Sequence, residues 1–272
     1  MPLKLGVCTY PYLWEFPLDQ ALERIKELGF TGFELMSTPP HAFPYELGRK
    51  ERKDLANLID SLGLSLISLN PTFGDLNIAS PRETFRKKSI KEIKEQIILA
   101  KDLNAEIVIV NPGRRPVFGA PPLRKTWEWS KRGIIECCKH AEEEGIIIGL
   151  EHTAYRFMEK AEDLKRMAEE AASESLKVVW DSSNTSVVES CVSAIEELGG
   201  LIGHLHLADN DCKTWTKQPV GMGNIDFRNI MKALMKIKFR GWSMIELWYG
   251  FDRIDEVISS SKNKLESIGW KA

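Results

Sequence analysis

Gly145-Ile146-Ile147-Ile148-Gly149-Leu150-Glu151 opens a stretch that continues HTAYRFMEKAEDLKRMAEEAASES and closes on Leu176-Lys177-Val178-Val179-Trp180-Asp181. Its two ends are short apolar runs of the length of buried strands, while Lys160 to Ala171 between them has helical period and a Lys/Glu-rich face. Two strands that enclose a helix in this way form a parallel crossover unit. Gly145 stands just past a helical stretch and releases the chain into the strand, as Gly29 and Gly63 do earlier. Outward from this unit the pattern repeats without a linker. Strands are expected at Leu3 to Tyr10, Gly32 to Met36, Ser65 to Asn70, Ile107 to Asn111, Ile146 to Glu151, Lys177 to Asp181, Ile202 to Leu207 and Trp242 to Trp248. Helices are expected at Leu18 to Leu28, Glu46 to Leu62, Glu83 to Leu103, Leu123 to Glu144, Lys160 to Ala171, Cys191 to Leu198, Phe227 to Ile237 and Ile254 to Ile268. Eight alternating pairs in 272 residues predict an α/β fold, a (β/α)8 TIM barrel filling residues 1–272 as a single domain. A doubly wound sheet more often has fewer strands.

The composition agrees with one globular domain: 43% of residues are apolar, 28% charged and 9% aromatic. Thirty-seven Lys plus Arg against thirty-nine Asp plus Glu leave a formal charge of -2, so no global basic field draws the chain to nucleic acid or anionic lipid. A small neutral partner fits better. Apolar runs are too short to span a membrane, and strand-like sequence begins by Leu3, which leaves no room for a signal peptide. Cys8, Cys137, Cys138, Cys191 and Cys212 make an odd count without CxxC spacing, which suits reduced thiols. The expected setting is cytoplasmic.

In a barrel the active site is built at the carboxyl ends of the strands, so polar residues there carry the functional reading. From strand two to strand eight those ends read Glu34, Asn70, Asn111, Glu151, Asp181, His206 and Glu246. A single carboxylate in such a place can equally be a helix cap or a surface charge. Glu151, Asp181, His206 and Glu246, however, end four consecutive strands and converge on one side of the mouth, where unpaired carboxylates repel. A bound cation relieves that repulsion. Three carboxylates and an imidazole are a hard donor set, expected to hold one divalent ion, Mn2+, Mg2+ or Co2+, with Zn2+ also compatible. His204, two residues deeper on the same strand, competes with His206; His206 is nearer the mouth, and His204 is expected as a hydrogen-bonded inner residue.

Other features weigh less. Trp14, Trp215 and Trp248 fall in or beside mouth loops and could wall a sugar pocket, a tryptophan face packing on C–H groups. Gly221-Met222-Gly223 fails the dinucleotide pattern; its backbone could hold a phosphate, but an ordinary turn before a helix capped by Asp226 is the stronger expectation. Arg114 and Arg115 could clamp an anionic substituent or be solvated loop charges. No GxSxG, HExxH or P-loop occurs.

Leu150-Glu151-His152, Val178-Val179-Trp180-Asp181, His204-Leu205-His206-Leu207-Ala208-Asp209, Gly221-Met222-Gly223-Asn224-Ile225-Asp226 and Met244-Ile245-Glu246 resemble successive strand-end motifs of the xylose isomerase-like barrel superfamily. Gly6-Val7-Cys8-Thr9-Tyr10 and Gly32-Phe33-Glu34-Leu35 extend the likeness to the start of the chain. The superfamily includes ketose 3-epimerases, hydroxypyruvate isomerase, inosose dehydratase and endonuclease IV. The resemblance implies that Glu151, Asp181, His206 and Glu246 hold one metal and that Glu151 and Glu246 exchange the substrate proton. Trp14, Glu34, Asn70, Asn111, His152, Asn184 and Trp248 are the expected substrate contacts. Where endonuclease IV carries histidines this chain has Asn70, Asn111 and Asn184, and neutral amides are poor replacements around a zinc cluster. The ketose epimerases resemble one another in a histidine and an arginine at places that here hold Asn184 and Cys212. The expected activity is therefore a metal-dependent isomerase or epimerase of a small ketose or related polyol. The alternatives are an inosose-type dehydratase, an abasic-site nuclease and a non-catalytic sugar-binding barrel. The partner expected is a small sugar or polyol, not nucleic acid or membrane, and a homo-oligomer is compatible with the sequence.

Overall fold

Eight parallel strands close into a ring, with β1 (Leu3–Cys8) pairing with both β2 (Gly32–Met36) and β8 (Trp242–Ile245). Between them, in sequence order, run β3 (Ser65–Asn70), β4 (Ile107–Val110), β5 (Ile147–Glu151), β6 (Leu176–Asp181) and β7 (Ile202–Leu207). A two-residue strand, β9 (Trp270–Lys271), adds to the start of β1. This is a computed structural model, and it describes residues 2–71, 75–154, 157–248, 250 and 252–272. Around the ring lie α1 (Leu18–Glu27), α2 (Arg49–Leu62), α3 (Glu83–Asp102), α4 (Leu123–Glu144), α5 (Ala161–Ala171), α6 (Ser182–Ser186), α7 (Cys191–Leu198), α8 (Phe227–Lys236) and α9 (Ile254–Glu266). The (β/α)8 barrel expected from the alternation is the architecture found, in a single domain. No helix among the described residues is long and apolar enough to cross a membrane.

Strand alternation divides the apolar side chains between two cores. Outward-facing Leu5, Val7, Phe33, Leu69, Ile148, Leu150, Trp180 and Leu205 pack against Leu22, Ile25, Ile97, Ile134 and Leu234 from the helices, all buried. Each such side chain contributes roughly 1.5–3 kcal/mol by leaving water. Inside the ring, Ile107, Ile109 and Val179 form a separate plug with Ile147. Close approach sets two glycines in that interior. A Cβ on Gly32 would stand 2.5 Å from the Trp242 ring, and one on Gly149 would stand 2.7 Å from Val179 Cγ2. Above this plug the inward positions near the strand ends are polar, among them Glu34, Ser68, Asn70, His204 and His206.

Most expected elements shift at one end by one or two residues, β1 for instance ending at Cys8 rather than Tyr10, and three larger differences have local reasons. Helix α2 starts at Arg49 rather than Glu46, because the preceding backbone is held in turns by the Arg52 guanidinium, which donates to the carbonyls of Pro44 and Leu47. Strand β8 stops at Ile245. Beyond it Glu246 N–H donates to Leu207 O and Trp248 N–H to Lys217 O, so the chain leaves the ladder. The extra helix α6 follows β6 directly, with Asp181 at its N-cap accepting from Asn184 N–H at 2.6 Å.

Candidate metal centre and active-site cavity

Glu151, Asp181, His206 and Glu246 arrive at the mouth from β5, β6, β7 and the residue after β8, and each offers a donor atom within 4.8 Å of the other three. His206 Nδ1 is central, 2.9 Å from Glu151 Oε1, 3.0 Å from Glu246 Oε2 and 4.0 Å from Asp181 Oδ2. Its other nitrogen, Nε2, lies 3.1 Å from Glu34 Oε2, a carboxylate with no exposed surface. The ring therefore has one nitrogen fixed from below and the other presented to the carboxylates. Among the described residues two further sets meet the same spacing: Glu34 with His204 and His206, and Cys8 with Glu34 and Glu246. Both lie deeper, and of their members only Glu246 reaches the cavity described next.

A cavity of about 390 Å3 opens above the donors and is lined by Glu151 and Glu246 together with Asn70, Asn111, Asn184, Arg114, Trp215 and Trp248. That volume suits a small ligand. The asparagines set the carboxylates. Asn70 Nδ2 donates to Glu34 Oε1 at 2.9 Å and Glu246 Oε1 at 3.2 Å, and Asn184 Nδ2 donates to Glu151 Oε1 at 3.4 Å. Trp215 donates its indole N–H to Asn184 Oδ1 at 2.6 Å and meets Trp248 edge to face, so the two rings form one wall.

The sequence-derived contacts divide accordingly. Asn70, Asn111, Asn184 and Trp248 line the cavity. Glu34 does not, because β2 continues to Met36 and the ladder pairs Glu34 with Ser68, one layer below Asn70. There it accepts from Ser68 Oγ at 2.7 Å and meets His204 Nε2 at 3.2 Å. His204 is thus the hydrogen-bonded inner residue expected. His152 follows Glu151 and so points to the opposite face, where Nε2 meets Thr185 Oγ1 at 3.1 Å and burial lowers its pKa to about 4. Trp14 is 65% exposed and stands outside the cavity lining. Arg114 lines the cavity, whereas the Arg115 guanidinium donates to Pro121 O. The Gly221 N–H is taken by Asp209 Oδ2 at 2.8 Å, which makes this segment an internally held turn before α8, whose cap is Asp226.

Lys217 was not signalled by the sequence. It sits in the loop between β7 and α8, 6% exposed, with its Nζ 2.5 Å from Asp181 Oδ2 and bonded as well to Glu246 Oε2. A lone lysine in a loop carries no motif and reads as a solvated charge. Burial works against its ammonium, but Asp181, Glu246 and Glu151 hold its pKa well above the ordinary value. His206 behaves alike: burial opposes the charge, and Glu246, Glu34 and Glu151 outweigh it. Burial would raise the carboxyls too, yet His206 and Lys217 leave Glu246 lowered, Lys217 and His206 leave Asp181 lowered, and the two histidines leave Glu34 well below the usual range. Glu151 is raised, by burial and by the neighbouring Glu246. Burial first, then Glu34 and Glu246, keeps Cys8 a thiol.

The donor set fits a divalent ion on these observations. Four buried carboxylates share one lysine ammonium, and His206 ligates only as the neutral imidazole, so negative charge is left over at a place where three carboxylate oxygens and an imidazole nitrogen converge. Oxygen-rich donors of this kind suit a hard cation.

A family profile described as xylose isomerase-like TIM barrel matches residues 22–266. The chain is 26% identical over 251 residues to fructoselysine 3-epimerase of Shigella flexneri, covering 90% of both chains. Among solved structures it is similar to a D-tagatose 3-epimerase-like protein, with a TM-score of 0.85, 26% identity and 98% of each chain covered. The zinc-bound IOLI protein shares the fold, with a TM-score of 0.84 at 19% identity over 98% of each chain.

Proposed function

The chain belongs to the xylose isomerase-like TIM barrel family, and from that premise we propose that it is a metal-dependent sugar epimerase or isomerase acting on a small ketose or related polyol. The observation that carries this reading is the convergence of Glu151, Asp181, His206 and Glu246 within 4.8 Å, with Glu151 and Glu246 lining a sugar-sized cavity and Asp181 and His206 buried behind them. Similarity to 3-epimerases favours inversion at the carbon beside the ketone. A divalent ion held by these four residues would polarise the carbonyl and the adjacent hydroxyl and so acidify that carbon; Mn2+, Mg2+ or Co2+ suits the donors, and the zinc-bound neighbour keeps Zn2+ in the set.

The chain's own residues divide the remaining work. Glu151 and Glu246 come from strands three apart around the ring and both line the cavity, so one can take the proton from one face while the other returns it to the opposite face. Inversion requires that separation. Asn70, Asn111 and Asn184 present amides to substrate hydroxyls, and the Trp215 and Trp248 wall packs on C–H groups while excluding water. Asp181 and His206 serve as ligands. Asn70 and Asn184 donate to carboxylates, a duty unlike that of zinc-binding histidines, which supports a sugar site over an abasic-site nuclease. Five free cysteines suit a cytoplasmic setting.

The test is a panel of ketoses, aldoses, sugar phosphates and inososes with Mn2+ in D2O. Epimerisation should place deuterium on the carbon beside the carbonyl. Product lacking solvent deuterium in both directions would withdraw the acid and base roles of Glu151 and Glu246, and nicking of abasic-site plasmid at catalytic protein concentrations would replace the sugar reading.

A further inference from the structure

Lys217 reaches the donor cluster from an anchored backbone. Its carbonyl accepts from Trp248 N–H, the next residue pairs with Asp209 through two backbone bonds of 2.8 and 2.9 Å, and Trp215 is tied to Asn184. The four-carbon stem is the only part of this residue free to change course without disturbing those bonds. Its ammonium rests on Asp181 Oδ2 and Glu246 Oε2, which are the atoms those residues direct toward His206 Nδ1. An ammonium and a divalent ion cannot both take these two oxygens at close range, because they would then face each other across a carboxylate width in a site shielded from water. Lys217 also lines the cavity of about 390 Å3, the nearest volume into which its side chain can turn.

We propose that Lys217 is a built-in counter-cation that holds Asp181 and Glu246 together while no ion is bound, and that its ammonium swings into the cavity when a divalent ion takes those oxygens. The inference rests on the metal-dependent reading above and adds a competitor to it. Without Lys217 the cluster would carry still more uncompensated charge in the ion-free protein; with it, the cluster is held together at the expense of metal affinity.

Isothermal titration of chelator-stripped protein with Mn2+ tests this on wild type, Lys217→Met and Lys217→Arg. Methionine keeps the apolar stem without the charge and should tighten Mn2+ binding by about tenfold or more, whereas arginine should give no gain. Equal or weaker binding by Lys217→Met overturns the competitor role while leaving the metal-dependent reading intact, provided wild type binds. Absence of Mn2+ binding in all three proteins overturns both. A second measurement needs no variant. Amine acylation of wild type, read by peptide mass, should modify Lys217 slowly in the ion-free protein and faster with saturating Mn2+; an unchanged rate overturns the displacement.

Discussion

Glu34 Oε2 stands 3.1 Å from His206 Nε2, beneath the cavity and out of reach of solvent, so a residue from β2 dictates which nitrogen of a β7 histidine faces the mouth. A carboxylate behind a ligating imidazole both orients it and raises its basicity. Glu34→Gln should therefore lower Mn2+ affinity by about 10–100-fold, read by titration calorimetry with circular dichroism to verify the fold. Unchanged affinity would reduce Glu34 to a packing role.

His206→Ala removes a proposed ligand and Asp181→Asn neutralises another, neither assigned a proton-transfer duty in this proposal, and the asparagine retains an Oδ1 acceptor for the α6 cap. Both variants should lose bound metal and turnover together, measured by atomic absorption and by sugar conversion on the same samples. Full activity of either in chelator would remove the metal from the reaction.

Glu246→Gln keeps the side-chain shape but cannot carry a proton. Exchange of substrate hydrogen with D2O should fall by about 10²–10⁴-fold while sugar binding persists. Exchange at the wild-type rate would assign the proton to another group.

Asp209 is 1% exposed and accepts from the N–H groups of Asn210, Ile225 and Gly221 at 2.9, 3.1 and 2.8 Å. Asp209→Ala leaves three backbone donors without this partner, and the loss should be about 2–4 kcal/mol in urea unfolding. A change below about 1 kcal/mol would mean that the turn relaxes onto water.

Glu170 joins α4 to α5, accepting from Trp127 Nε1 at 2.9 Å, Lys131 Nζ at 3.0 Å and Arg166 Nε at 2.7 Å. Trp127 first, then the two cations, lowers its pKa to about 2. A carboxyl lowered in the folded state stabilises above its unfolded pKa, and that stability is lost as pH falls toward the folded value. Between about pH 4 and pH 2, Glu170→Gln should flatten the decline in stability seen in wild type. Identical slopes would show that solvent screens the cluster.

The regular elements were legible because local chemistry set them. Helices Leu123–Glu144 and Cys191–Leu198 have the bounds read from sequence, the first ended by Gly145 in a left-handed conformation and the second begun by Ser190, which accepts from Ser193 N–H. Gly32–Met36, Ser65–Asn70 and Ile202–Leu207 were equally plain. Ser182–Ser186 has no apolar period and takes its cap from Asp181, so it left no signal as a helix. At the mouth, strand ends pointed to the residues that converge, but depth within the ring did not follow from them. The strand-two glutamate belongs one layer down because β2 continues two residues past it, as the expected span Gly32 to Met36 already implied. His152 could have been placed by alternation alone, since a neighbour of an inward residue points outward. Trp14 lies beyond the short 3-10 turn Tyr10–Tyr12, whose Tyr10 lines the cavity while Trp14 does not.

The Glu34 to His206 and Asn70 to Glu246 bonds bridge 172 and 176 residues of chain. All four proposed metal ligands lie within β5 to just after β8, whereas two of the groups that orient them, Glu34 behind His206 and Asn70 on Glu246, come from β2 and β3. A fragment beginning at β5 would thus own every proposed ligand, with Asn184 and Lys217 beside them, yet lack the carboxylate and amide that fix His206 and Glu246 from the first strands. Because contacts between distant parts of a chain form late, cation affinity should emerge only as the first two strands dock against the last. The centre then doubles as a gauge of ring closure, and the appearance of tight Mn2+ binding during refolding would time the final step of assembly.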